Sequence, residues 1–158
     1  MTEMRQSSIQ ASEQFQVISD LVTFLITVEQ TTGGFLLYSS VTPAGAGVPP
    51  HRHAGIREIV LVVAGEYTFF REETILHASV GDIVDISAGE VHSFTNTGHV
   101  PGRLLVIAAP GRCIEEFFRD VGVVHTGDLE TTSSQDEIAR FVEHAARHGI
   151  EMLPALNG

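Results

Sequence analysis

The sequence predicts an all-β jelly-roll barrel followed by two α-helices that pack on it. Short apolar runs separated by turn residues fill residues 15–110, and the apolar period becomes helical after Pro110. The 158 residues suit one domain with its own core. We therefore divide the chain into a polar N-terminal segment (1–14), a β-barrel (15–110) and a C-terminal helical extension (111–158).

The strands of the barrel are predicted from runs of six to eight residues that end near Gly, Asn or Ser. Many short strands at regular spacing are typical of a sandwich or barrel. In chain order the runs are LVTFLITV (21–28), FLLYSSV (35–41), EIVLVV (58–63), EYTFFRE (66–72), TILHAS (74–79), DIVDIS (82–87), VHSFTN (91–96) and RLLVIAA (103–109).

Two amphipathic stretches predict the C-terminal helices. The first ends at Gly122, a common helix stop, and carries Cys113, which we expect to pack in the core. Its predicted buried face consists of Ile114, Phe117, Phe118 and Val121. The second is framed by a capping box at Ser134 and by Gly149, with a predicted buried face of Ile138, Phe141, Val142 and Ala145.

Composition excludes several kinds of function. The net charge is −11 with no basic run, so a nucleic-acid partner is not expected. The chain has no lysine, which excludes Schiff-base chemistry. The first residues are polar and no apolar run is long enough to span a bilayer, so we expect neither export nor a membrane partner. Cys113 is the only cysteine, which fits a reducing cytoplasm.

Three histidines and one glutamate form a candidate metal-binding set. His51 and His53 lie two residues apart, so both rings face the same side of an extended strand. Glu58 begins the next apolar run, and His92 follows the turn SAG. Imidazole and carboxylate together suit a divalent first-row metal such as Fe, Mn, Ni, Cu, Co or Zn. Four such ligands leave two octahedral positions open, as a catalytic metal requires.

The spacing of these residues resembles the cupin superfamily. Residues 45–65 match the first cupin motif, G(X)5HXH(X)3–4E(X)6G, at every position. Residues 81–96 resemble the second motif, G(X)5PXG(X)2H(X)3N, except that Ser87 stands where proline is usual. Residues 31–155 as a whole are similar to small single-domain bacterial cupins of the quercetin dioxygenase-like type. The resemblance implies a double-stranded β-helix barrel with His51, His53, Glu58 and His92 as metal ligands.

The resemblance also implies an activity. It favours a mononuclear metal-dependent dioxygenase-type oxidoreductase acting on a small organic substrate, aromatic or enolisable, with Glu58 as the catalytic base. Two alternatives stay open: a metal-dependent isomerase or lyase, in which the metal acts only as a Lewis acid, and a cupin that binds a small ligand without turnover. Cupins commonly pair through barrel edges, so a homodimer is expected.

Strand alternation predicts the walls of the pocket. If Glu58 points inward, so do Val60 and Val62, and if His92 does, so does Phe94. Asn96 ends the second motif and completes the predicted pocket, although bracing a turn is its simpler role. Arg52 and Arg57 flank the ligands and are candidates to bind a substrate anion, although strand alternation is expected to turn Arg52 outward. His144 and His148 share one face of the second helix, but the sequence supplies no third metal ligand beside them.

Overall fold

Two antiparallel sheets and two helices form the chain in the computed structural model, which describes residues 12–124 and 135–154. The elements are β1 (Gln14–Val17), β2 (Asp20–Ile26), β3 (Leu36–Thr42), β4 (Gly47–His53), β5 (Arg57–Ala64), β6 (Tyr67–Arg71), β7 (Thr74–Ala78), β8 (Ile83–Ile86), β9 (His92–Asn96), β10 (Gly102–Ala109), α1 (Arg112–Val121), β11 (Val123–Val124), α2 (Gln135–Arg147) and β12 (Ile150–Met152). The predicted runs of the barrel all became strands.

The strand order is that of a jelly roll. One sheet has the order β11-β1-β2-β3-β10-β5-β8 and the other the order β12-β4-β9-β6-β7. Strands far apart in the chain pair with each other, as β10 does with both β3 and β5. The predicted fold class, an all-β jelly-roll barrel with C-terminal helices, is confirmed.

Alternating side chains build the core between the sheets. In β5 the side chains of Glu58, Val60 and Val62 are buried, and Leu104 and Val106 of β10 lie opposite on the same inner face. This alternation follows the two-residue period of an extended strand. Glu58 therefore belongs to the interior, and it needs polar or charged partners there.

The helices pack on the barrel with narrower faces than their sequence predicts. In α2, Phe141 and Ala145 are buried as predicted, but Ile138 and Val142 are each 47% exposed, so that part of the prediction is wrong. The helix is rotated relative to this prediction because it packs against both β12 and α1, where the ring of Phe141 meets that of Phe117 at 5.2 Å. Cys113 is exposed and not packed in the core. Ser134 lies outside the described residues.

The rotation of α2 turns its histidines toward α1. The ring nitrogens of His144 and His148 lie 2.7 Å and 2.9 Å from the same carboxylate oxygen of Asp120. Asp120 is the acidic neighbour that the sequence did not reveal. The three side chains join the two helices by hydrogen bonds.

The C-terminal part of the chain also contributes strands to both sheets. β11 pairs with β1, and β12 pairs with β4 so that Ile150 lies opposite His53 and Met152 opposite His51. The residues after the barrel thus brace the strand that carries two of the candidate ligands. The predicted domain boundaries stay predictions. Neither helix within the described residues is long and apolar enough to cross a lipid bilayer.

Candidate metal centre

The two sheets bring the four candidate ligands to one place inside the barrel. His51 and His53 point inward from β4, and His92 lies directly opposite His51 on β9. Glu58 reaches the same place from β5 of the facing sheet. His53, His92 and Glu58 are 2%, 3% and 7% exposed, and His51 is half-buried. The cluster therefore lies in the interior, with His51 nearest to solvent.

The rings are close enough to share one ion. One ring nitrogen from each of the three histidines lies within 4.8 Å of the other two. Glu58 Oε1 lies 3.4 Å from His53 Nε2, and Glu58 Oε2 lies 3.2 Å from His92 Nε2. Two ligands at right angles on a metal, with bonds of about 2.1 Å, are about 3 Å apart. The spacing therefore fits neighbouring ligands of a single ion.

Backbone carbonyls orient two of the rings. His51 Nδ1 lies 2.9 Å from the carbonyl oxygen of Pro49, and His92 Nδ1 lies 2.9 Å from that of Glu90. Such a contact holds the proton on Nδ1 and leaves the lone pair of Nε2 free. This is the arrangement that metal-binding imidazoles commonly have.

Several buried nitrogens of the cluster lack hydrogen bonds. Both ring nitrogens of His53, and Nε2 of His92, are fully buried and have no hydrogen-bond partner among the described residues. Their contacts with Glu58 are within ion-pair distance but are not aligned as hydrogen bonds. Buried polar atoms are normally satisfied. A divalent ion would satisfy these nitrogens and the carboxylate together, so the residues present fit such an ion.

Burial and neighbouring charges keep His51 and Glu58 in the deprotonated forms that can bind a metal. Burial, followed by the neighbouring His92, lowers the pKa of His51 to about 4. Burial tends to raise the pKa of Glu58, but His53 and His92 outweigh it and hold that pKa below its usual range. Burial opposes a charge on His92, yet Glu58 raises its pKa. At neutral pH the site thus offers a carboxylate and an uncharged His51, which are the forms that bind metals.

The turn before His92 forms although Ser87 stands where the second motif usually has proline. The backbone N–H of Ser87, which a proline would lack, donates to Glu90 at 2.9 Å, and Glu90 N–H returns to the Ser87 carbonyl at 3.1 Å. Gly89 takes a φ of +80°, which glycine adopts without strain. Serine therefore closes the same turn through a hydrogen bond of its own.

A cavity of about 90 Å³ extends from the ligands into the barrel. Its walls are mostly apolar, and the predicted Val60 and Phe94 are among them. Val62 and Asn96 are buried but do not line this cavity among the described residues. The lining side chains that the sequence did not identify include Asp20, Tyr38, Phe117, Phe118, Phe141, Ile150 and Met152.

Asn96 braces a turn, which was the simpler interpretation of the sequence. Its side-chain amide donates to the carbonyls of Thr42 and Val100, both at 2.9 Å, and its oxygen accepts the N–H of Gly98 at 3.0 Å.

Arginine does not line the cavity within the described ranges. Arg52 pairs with Glu151 at 2.7 Å, and Arg57 donates to both carboxylate oxygens of Asp85 on the outside of the barrel. The expectation that Arg52 faces outward is met, and neither arginine lines the cavity where it could bind an anion. The cavity therefore offers carboxylates, imidazoles and apolar walls to a bound molecule.

Comparison with known protein sequences identifies one matching family and two similar proteins. The profile of the Cupin domain family matches residues 38–108. Quercetin 2,3-dioxygenase of Bacillus subtilis is 27% identical over 101 residues, which cover 64% of this chain and 29% of that protein. An oxalate-binding protein of Thermotoga maritima is 32% identical over 65 residues, which cover 41% of this chain and 54% of that protein. The chain thus spans about half or less of the relatives it matches.

A solved structure supports the fold. A crystal structure from Thermotoga maritima, described as a predicted oxalate decarboxylase, superimposes with a TM-score of 0.63 at 21% identity. The match covers 66% of this chain and 98% of that one. At this identity, the likeness concerns the fold alone.

Proposed function

Because this chain belongs to the cupin superfamily, we propose that it is a mononuclear metal-dependent oxidoreductase of the dioxygenase type, acting on a small enolisable substrate. The observation that carries the proposal is the convergence of three imidazoles on one point beside Glu58, with buried ring nitrogens that lack hydrogen bonds. The distant similarity to quercetin 2,3-dioxygenase supports the reaction type.

In this proposal, some residues bind the metal and one of them also transfers a proton. A divalent transition metal supplies Lewis acidity and, when it is redox-active, reactivity toward dioxygen. His51, His53 and His92 hold the ion. Glu58 is the fourth ligand, and it accepts the hydroxyl or α-carbon proton of the substrate as the enolate forms. One carboxylate oxygen of Glu58 binds the ion, and the other takes up the proton.

The cavity favours a compact substrate. About 90 Å³ is less than the cavity of about 150 Å³ that holds a benzene molecule in another protein. Apolar side chains such as Val60, Phe69 and Phe94 line it and exclude water from the reacting atoms. We therefore expect short diketones or hydroxyketones, rather than flavonols, to be accepted without movement of α2.

Metal binding is tested by elemental analysis. We expect about one transition-metal ion per chain in the wild type and a large loss in His53→Ala, because that ring is almost fully buried in the cluster. His99→Ala removes an exposed histidine and is the matched control. A wild type that binds no metal after incubation with Fe, Mn, Co, Ni, Cu or Zn would contradict the proposal.

Reaction type is tested by oxygen uptake. Protein loaded with each redox-active metal is assayed with acetylacetone, catechol and quercetin, and uptake is expected with acetylacetone first. No uptake in any metal form would exclude the dioxygenase on these substrates. Turnover of the same compounds under anaerobic conditions by the zinc form would instead identify an isomerase or a lyase.

A second candidate is a protein that binds a small ligand without turnover. The relative that is 32% identical, an oxalate-binding protein, favours it. The cavity argues against oxalate itself, because Glu58 and Asp20 line it and no described arginine does. Calorimetry with oxalate on the metal-loaded protein separates the two: tight binding with no product formed supports this candidate over the oxidoreductase.

We also propose that two copies pair through the outer face of the larger sheet. Ile59, Val63 and Ile107 expose 38%, 39% and 36% of their surface there, and Ile59 lies beside Ile107 in the register. A chain with a net charge of −11 repels its own copies, so an apolar face is the surface on which they associate. Light scattering should give a dimer for the wild type and a monomer for Ile59→Glu, with the exposed Ile75→Glu of the other sheet as control.

A further inference from the structure

A buried carboxylate lies in the cavity away from the histidine cluster. Asp20, the first residue of β2, is 7% exposed. Its Oδ2 accepts hydrogen bonds from the hydroxyls of Ser40 at 2.8 Å and Thr42 at 3.0 Å. Its Oδ1 is fully buried and has no hydrogen-bond partner among the described residues. A buried acceptor without a donor costs about 1–3 kcal/mol, so Asp20 needs an explanation beyond the packing of β2.

The strand register separates Asp20 from the metal ligands. Glu58 lies level with Ala108 and, through β10, with Leu36 at the start of β3. Ser40 and Thr42, the partners of Asp20, lie toward the other end of β3. Asp20 and the histidines are therefore distinct polar points along one cavity.

The charges around Asp20 determine which group it accepts. Burial raises its pKa to about 6, and the hydroxyls of Ser40, Thr42 and Ser19 oppose that rise. Tyr38 lines the cavity near both carboxylates, and its own pKa is raised by burial and then by Glu58 and Asp20. No described arginine lines the cavity, and the chain has no lysine. An anionic group is therefore repelled from this end, and a hydrogen-bond donor is attracted.

A strained turn precedes Asp20 in the cavity wall. Ile18, between β1 and β2, has a φ of +56°, which a β-branched residue rarely adopts. Its side chain nevertheless packs against the core and lines the cavity together with Ser19. The strained turn thus forms part of the cavity wall, and strain of this kind is often found where a ligand is clamped.

We propose that Asp20 is a second ligand-binding point, at which Oδ1 accepts a hydrogen bond from a hydroxyl or ammonium group of a molecule whose other end reaches the histidine cluster. The inference rests on the proposed function in one respect, that the ligand occupies this cavity. It narrows the substrate class to compact molecules with an enolisable or metal-binding group at one end and a hydrogen-bond donor at the other.

Two series of hydroxamates test the proposal on the metal-loaded protein. The metal-binding group is constant, and the far end is methyl, hydroxyl or ammonium: propano-, 3-hydroxypropano- and 3-aminopropanohydroxamate, and the corresponding four-carbon compounds. We expect the hydroxyl or ammonium probe to bind at least about tenfold tighter than the methyl probe at one chain length, which corresponds to about 1.4 kcal/mol. Equal affinities at both lengths would overturn the subsite.

Asp20→Asn should abolish the tighter binding of the ammonium probe. In this variant an amide N–H₂ group, which cannot accept a hydrogen bond, takes the place of Oδ1. Asp85→Asn, on the outer side of β8, should leave the tighter binding unchanged. If Asp20→Asn still binds the ammonium probe more tightly than the methyl probe, the proposal is overturned. If Asp20→Asn does not fold, Asp20→Ser serves as the second variant, and the wild-type comparison stands on its own.

A metal-independent series separates this inference from the proposed function. Propan-1-ol, propane-1,3-diol and 3-aminopropan-1-ol are titrated into the protein while the amide NMR signals of Asp20 and Ser40 are followed. If the protein holds no metal but these signals respond most to the ammonium probe, the proposed function fails and the subsite is supported. No Asp20-dependent preference in either series overturns the subsite, whatever the metal content.

Discussion

Replacing Asp20 by Asn should change how the stability of the protein depends on pH. Burial raises the pKa of Asp20 from 3.8 to about 6. The folded state therefore binds this proton more tightly than the unfolded state, and the stability that the protonated form confers is lost as pH rises from about 4 through 6. A difference of about two pKa units corresponds to about 3 kcal/mol.

Asp20→Asn keeps an oxygen for Ser40 and Thr42 but cannot ionise. The variant and the wild type should thus be similar in stability near pH 4, and the variant should be more stable by up to about 3 kcal/mol above pH 7. Tyr38 and Tyr67 face Asp20, and their raised pKa values keep them neutral over this range. The metal-binding side chains are the same in both proteins, so their contribution cancels in the difference.

The measurement is urea unfolding of metal-free protein from pH 4 to pH 8, with midpoint and slope compared at each pH. Asp85→Asn is the control, because Arg57 lowers the pKa of the exposed Asp85 and its contribution to stability therefore stays constant from about pH 4 to pH 8. A constant difference between wild type and Asp20→Asn across the range would refute the reasoning, as would a variant that is the less stable one at pH 8.

Three further predictions concern packing. Gly47→Ala should destabilise the fold by about 3 kcal/mol in urea unfolding, because a Cβ there collides with the carbonyl oxygen of Phe94; unchanged stability would contradict this. Phe141→Ala should cost about 3–5 kcal/mol, and its half-exposed neighbour Val142→Ala under about 0.5 kcal/mol, so similar losses would refute the packing of α2. Asp120→Asn should speed hydrogen exchange in α2, since its carboxylate binds two histidines of that helix; unchanged exchange would show that these contacts do not hold α2. The pKa of Asp120 is lowered mainly by those histidines. In the wild type, the contacts between Asp120 and the two histidines should therefore weaken as pH falls below the usual pKa of an aspartate.

Features with a local cause could be predicted from the sequence. The two-residue alternation of Glu58, Val60 and Val62 predicts which side chains enter the barrel, because it depends only on the geometry of one strand. The spacing of His51 and His53 is likewise local, and the resemblance of two motifs joined them to His92. The fold class, the strands and the three-histidine cluster therefore followed from the chain alone.

Features that depend on how distant segments pack appeared only in the structure. The rotation of α2, which exposes Ile138 and Val142, is set by its contacts with α1 and β12, and no periodicity within α2 reports it. In the sequence, Asp20 precedes the predicted strand 21–28, as many surface aspartates do, and only the register of β2 with β3 places it beside Ser40 and Thr42 inside the cavity. Local spacing thus determined which residues can bind a metal, whereas long-range packing decided the volume of the cavity and the second carboxylate that a ligand meets there.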